Sequence, residues 1–265
     1  MQTTLNASTS AAVSSPAASR TQVRILAAAE ELLRSGGAQA LNMRALADAA
    51  GVSIATPYNV FGSKEAVLLA VMNNDLQAHQ SAFARASRGD LTDLFAACRI
   101  TIEHLTADPD YFRALLSALH HTGNQDLRLL FAGPRYLLWK GLLNRARTAG
   151  ELREDLNADA LAITVCQQLS APVMEWVQGG LSATELAARA RYGLAMVLLG
   201  AATEPARRIV EQELQAAQDT LQNIWQALLR KRLQQGPLSD DEAALAADLL
   251  PAIESSETTP MSAES

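Results

Sequence analysis

Apolar residues recur at intervals of three and four along most of the chain, and nowhere do they alternate every second residue for long. That spacing predicts helices rather than strands. Ile25, Leu26, Ala29, Leu32 and Leu33 make the first stripe. Ser19 and Gln22 stand before it in capping-box spacing, and Gly36 and Gly37 stop it. Asn42 can cap a second helix over 43–50 that ends at Gly51. Ser53 is expected to cap a third, very short helix, and Ser63 a fourth that runs to about Ser87.

Longer amphipathic stretches follow, over 91–106, 110–121, 125–148, 158–178 and 183–201, separated by breaks rich in Gly, Asp and Asn. Pro172 falls inside one of them and is expected to kink it. A further helix opens at Thr203-Glu204-Pro205, with proline tolerated in the first turn. Its Val210, Leu214, Ala217, Leu221, Ile224 and Leu228 recur at alternating four and three, a seam that either packs on its own domain or pairs with another helix. The ends differ in character. Residues 1–18 are rich in Ser, Thr, Ala and Pro, and residues 235–265 are acidic; both read as tails, with one short helix plausible near 240–250. The expected organisation is all-α: a head over 19–66, then a larger helical domain over 67–234.

Composition narrows the function. The 265 residues are 49% hydrophobic, ample for a packed core, and the formal net charge is −6. Cys98 and Cys166 both lie in apolar helical contexts, which predicts buried thiols in a reducing cytoplasm rather than a disulfide or a metal site. No apolar run approaches the ~20 residues that a membrane span needs, and the N-terminus lacks the basic and apolar regions of a secretory signal. The spacings of zinc hydrolases, paired-cysteine sites, serine hydrolases and phosphate-binding loops are missing. The reading is therefore of a protein that is no enzyme, uses no cofactor and holds no metal.

Chemistry concentrates in residues 43–61. A helix-turn-helix needs a small residue where its helices touch and a left-handed residue in its turn; Ala47 and Gly51 supply them. Leu46, Ala50, Val52 and Val60 are the positions expected to weld the pair to the first helix. Ile54, Ala55, Tyr58 and Asn59 then remain on the outer face of the third helix, uncharged and mixing apolar atoms with hydrogen-bonding groups. Such a face can meet thymine methyls and the adenine edge.

The stretch LNMRALADAAGVSIATPYNVFGSKEAVLLAVM resembles the N-terminal domain of the tetracycline-repressor (TetR) family of bacterial transcriptional regulators, from Asn42 through Tyr58-x-x-Phe61 to Ser63-Lys64-Glu65. The resemblance covers about 50 residues closely. It implies a homodimer on double-stranded DNA and a helical core that takes a small, so far unknown effector. It also implies base readout by Ile54, Ala55, Tyr58 and Asn59, and phosphate contacts from Thr56, Tyr58 and Lys64, with Arg44 a further one. Pro57 stands where the family usually has an aliphatic residue. It is expected to lose one helical hydrogen bond and still fill the apolar slot.

Charge argues the other way. Between residues 20 and 75, Arg20, Arg24, Arg34, Arg44 and Lys64 are balanced by Glu30, Glu31, Asp48, Glu65 and Asp75. DNA binding by such a head must rest on a few placed cations and hydroxyls, with a shallow salt dependence. In the larger domain, Cys98, Ile102, Phe112, Trp139, Gln168 and Trp176 are candidates for an effector pocket, being more varied than packing alone requires. Val165, Leu169, Pro172 and Trp176, with Ala190, Gly193, Val197 and Gly200, form two stripes that fit either a dimer face or an internal seam. The competing function is a helical protein-interaction module that never touches DNA.

Overall fold

The structure, a computed structural model, describes residues 16–84, 87–120 and 125–236. Among them ten helices account for nearly all regular structure: α1 Pro16–Ala40, α2 Met43–Ala50, α3 Ala55–Phe61, α4 Lys64–Ala84, α5 Thr92–Ala107, α6 Pro109–His120, α7 Gln125–Thr148, α8 Ala158–Val177, α9 Ala183–Leu199 and α10 Glu204–Leu233. The all-α expectation holds, and most boundaries fall within a residue or two of the periodicity. The helix foreseen near 240–250 and most of both tails lie outside the described residues.

Two starts and one end differ from the sequence reading. α1 begins at Pro16, so Ser19 lies within the helix and not at its cap. Its C-terminal end is broken at Gly37 (φ 66°, ψ −164°), beyond which one more turn reaches Ala40. Ser53 does not cap α3: the N-cap is Ile54, with no side-chain bond, and the Ser53 hydroxyl pairs instead with that of Thr56 at 2.9 Å. Asn42 and Ser63 do cap as expected, accepting from the amides of Ala45 (2.9 Å) and Ala66 (3.2 Å).

The chain divides into two compact units. One holds residues 1–78 and 108–131, the other 79–107 and 132–265. In the first, α1 packs on α2 and on α6. Ile25, Ala29 and Leu33 of α1 are at most 1% exposed. The α1–α6 contact is locked by Arg34, whose guanidinium lies 4.3 Å from the centre of the Tyr111 ring while its Nε donates to Asp108 at 3.0 Å. Burial pushes the Tyr111 phenol above its ordinary range.

In the second unit α9 is central, packing against α5, α8 and α10. The loop before α10 is stapled to that after α7: Thr203 N–H donates to Glu151 O at 2.9 Å, and Arg153 N–H to Ala201 O at 2.9 Å. Asp93, buried at the start of α5, accepts from Ser87 and from the amides of Arg88 (3.0 Å) and Gly89 (2.7 Å). Burial alone would raise its carboxyl, but those bonds hold it below the usual carboxylate range. α8 runs without interruption through the buried Pro172.

The two stripes offered as a dimer face need correction. Val165, Leu169 and Trp176 of α8 and Ala190 and Gly193 of α9 are buried within the single chain, and a Cβ on Gly193 would meet the Gln168 side chain at 2.3 Å. Only Val197, half-buried, and Gly200, the exposed C-cap of α9, remain open. The small residues serve the chain's own helix packing. Periodicity marks an inward face without saying whose interior it enters.

Gly51, like Gly37 and Gly62, takes a positive φ in the head that favours glycine. It is left-handed (φ 60°, ψ 45°), and an added Cβ would lie 3.1 Å from the Arg24 guanidinium. Gly51→Ala should destabilise the protein by about 1–2 kcal/mol, read as a lowered Tm. An unchanged Tm would mean that the turn accepts a side chain.

Candidate nucleic-acid interface

The site begins with the turn between α2 and α3. Val52 N–H donates to Ala47 O at 3.0 Å and Gly51 N–H to Asp48 O at 3.1 Å. These are the two bonds of a Schellman close, which needs the left-handed glycine between them. Met43, Leu46, Ala47 and Ala50 are buried beneath it. α3 seats itself through Pro57, which is buried. With the N-cap at Ile54, Pro57 is the third helical residue, where an amide would have no intrahelical acceptor. The hydrogen-bond loss expected from the sequence therefore does not arise. Val60, expected to face inward, is 39% exposed; Pro57 takes the inward place.

What α3 and its cap turn outward is the row foreseen for base readout. Ile54 is 54% and Tyr58 51% exposed, and Ala55 and Asn59 are exposed beside them. Large apolar side chains left this open on a tightly seated short helix are the kind of surface that marks a contact face.

The cations of the head divide into engaged and open ones. Lys64 donates from Nζ to Ala38 O at 3.0 Å, tying the start of α4 to the turn after the Gly37 break. An ammonium has three donors, so two remain for a phosphate. Arg44 is exposed at the start of α2 and makes no hydrogen bond or ion pair among the described residues. Thr56 is half-buried, its hydroxyl shared with Ser53.

Arg24 is the functional residue that the sequence reading missed, having counted it only as a charge. From α1 its guanidinium donates to Ala50 O and, at 3.2 Å, to Gly51 O. A cation there satisfies carbonyls that the end of α2 leaves open and faces the negative end of the helix dipole. Neither periodicity nor spacing signals it, since the two partners are 26 and 27 residues away.

The six residues offered for an effector pocket do not form one site. Cys98 and Ile102 line a cavity between α5, α9 and α10. Gln168 lines a separate hollow with Pro172 and Trp225. Trp139 and Trp176 are 2% and 1% exposed in the core. Phe112 belongs to the first unit, edge-on to Tyr111 at 4.9 Å. The Cys98 thiol is pushed up to about 12 by burial, so it remains protonated at neutral pH. No group of His, Cys, Asp and Glu among the described residues could hold a metal ion.

A short recognition helix seated by a Schellman turn, with an uncharged exposed row, defines a helix-turn-helix DNA-binding protein. Residues 25–71 match the family described as bacterial regulatory proteins, tetR family. No curated protein matches in sequence. Among solved structures, it is similar to Thermus thermophilus FadR, a TetR-family transcriptional repressor in complex with lauroyl-CoA. That pair is 26% identical over 68% of this chain and 94% of the other, with a TM-score of 0.59. SmeT, repressor of the Stenotrophomonas maltophilia multidrug efflux pump SmeDEF, shares the fold at 19% identity, over 70% and 92% of the two chains (TM-score 0.53). FadR of Bacillus subtilis, in complex with stearoyl-CoA, does so at 18% identity, over 67% and 98% (TM-score 0.54).

Arg24 and Arg44 should separate by salt dependence. Arg44→Ala is expected to flatten the slope of log K against log salt by about 1 per head. Arg24→Ala should leave the slope alone and lower stability by about 1 kcal/mol through the lost helix-end interaction. A flattened slope for Arg24→Ala would make it a phosphate contact instead.

Proposed function

We propose that the protein is a ligand-responsive, DNA-binding transcriptional repressor that acts as a homodimer on an inverted-repeat operator and is released by a small apolar effector. One observation carries the reading of bases: Ile54, Ala55, Tyr58 and Asn59 are exposed on a family-matched helix-turn-helix whose third helix is seated by the buried Pro57. Asn59 can pair with an adenine edge, and Ile54 and Ala55 can meet thymine methyls. Arg44, Thr56, Tyr58 and Lys64 then serve the phosphates. The balanced charge of the head makes non-specific affinity low, so discrimination comes from the bases.

Regulation has a covalent route. α4 carries Lys64 in its first turn and continues to Ala84, and the boundary between the two compact units falls inside it, after Ala78. An effector that shifts the second unit acts on the head through this helix. By linkage, whatever factor the effector takes from DNA affinity, DNA takes from effector affinity, typically worth ~1–3 kcal/mol. No described helix is long and apolar enough to cross a membrane.

The dimer surface is sought on the outer sides of α8 and α9. Their antiparallel register follows from Gln168 beside Gly193 and from Arg189, whose guanidinium bonds Glu175 at 3.0 Å. In that register Ile163 and Met196, 48% and 49% exposed, lie on one stretch.

Two measurements test this. A footprint on duplex DNA flanking the protein's own gene should show an inverted repeat with half-sites about one turn, ~34 Å, apart. On it, Asn59→Ala and Tyr58→Phe should change which operator variants are preferred, by roughly 1–3 kcal/mol per affected base pair. Uniform losses with unchanged preferences would make them positioning residues. Separately, Ile163→Glu with Met196→Glu should give a folded monomer in sedimentation; an intact dimer would place the interface elsewhere.

A further inference from the structure

The cavity along α5 has a volume of about 540 Å³, within the ~300–1,000 Å³ usual for ligand sites. It extends along α5 from Thr92 to Thr106, roughly 21 Å at about 1.5 Å per helical residue. Phe95, Cys98, Ile102, Ala188 and Ala217 are buried beneath it. Small side chains on α9, including Ala183 and Ala187, keep it open. The result is a long, mostly apolar slot that exists because α10 closes its third side.

Its charged side chains are paired with one another. Arg191 is paired with Glu213, and Arg99 donates to both oxygens of Glu103 at 2.9 and 3.0 Å. All four residues line the slot, so its charges are already matched, and a charged ligand would have to break a pair or stay unpaired. Three of its threonines have given their hydrogens away: Thr92 to the Asp90 carboxylate, Thr106 to Ile102 O at 2.8 Å and Thr220 to Ala216 O at 2.8 Å. What those hydroxyls still offer is lone pairs. Near Thr106 and Thr220 the slot therefore offers hydrogen-bond acceptors.

We propose that this α5–α9–α10 slot is the effector site, and that its occupant is an uncharged, elongated apolar molecule with a hydrogen-bond donor such as a hydroxyl at one end. The effector role rests on the regulator reading above; the ligand chemistry rests on the slot alone. Thr106 and Thr220 receive the donor, and the chain lies over Cys98 and Ile102.

The test uses the full-length protein and N-phenyl-1-naphthylamine, an uncharged fluorescent apolar probe with one N–H. The probe should bind and be displaced by 1-decanol, with displacement tightening about threefold to fourfold per methylene from octanol to dodecanol. Decyl methyl ether, which cannot donate, and decanoate, which is charged, should compete about tenfold less well. Ala187→Trp fills the slot from an exposed position and should abolish probe binding, while Ala217→Phe blocks it from beneath. Decanol should release wild-type protein from its flanking duplex and leave Ala187→Trp bound. Probe binding that survives Ala187→Trp, or decanoate or the ether matching decanol, overturns the proposal. A wild-type protein that binds the probe as described but no duplex overturns the regulator reading and, with it, the effector role.

Discussion

The placement of the recognition face depends on how α1 is gripped. Ile25, Ala29 and Leu33 fall on one line and are completely withdrawn from water between α2 and α6. Burying a side chain the size of Ile or Leu is worth roughly 1.5–3 kcal/mol, more than a typical single hydrogen bond at about 0.5–1.5 kcal/mol. Apolar burial therefore decides that α1 sits there, and polar contacts decide its alignment. Arg34 fixes it to α6 through Tyr111 and Asp108, Arg24 fixes the end of α2, and Lys64 holds the turn at Ala38 to the start of α4. The pose of α3 is inherited from all three.

That arrangement explains how a head with no net positive charge can serve as a DNA-binding domain. Two of its five cations, Arg24 and Arg34, are spent on internal geometry, and Lys64 is partly so engaged. Rigidity stands in for attraction: a face already held in one orientation loses less freedom when it binds. The second unit uses charge in the same inward way. Arg191 with Glu213 and Arg189 with Glu175 and Glu185 join helices or support them, which leaves the slot between α5, α9 and α10 electrically quiet.

The helix-turn-helix was legible residue by residue because its chemistry is local. Asn42 caps three residues on, Gly51 turns, and Tyr58 and Asn59 point where a helix must point them. Ser53 failed as a cap because a competing hydroxyl, Thr56, lies one turn away and takes it. Arg24 escaped notice because its partners are reached through tertiary packing. The slot was half legible: Cys98 and Ile102 were singled out, whereas its far wall of alanines carries no chemical signal at all. Val165 and Gly193 show the limit most plainly. Their spacing fits a surface between subunits and a seam within one equally well, and only burial separates the two.

Because α6 belongs to the same compact unit as α1, the head is discontinuous in the chain. The ribosome delivers α1 through most of α4 well before Tyr111 and its neighbours exist. At about 5–20 residues per second, the forty or so residues that follow take on the order of 2–8 s to make. During that interval the α6-facing side of α1 has no cover, and its apolar line is open to chaperones or to other nascent copies. A gene fragment encoding only the helix-turn-helix would keep that exposure permanently.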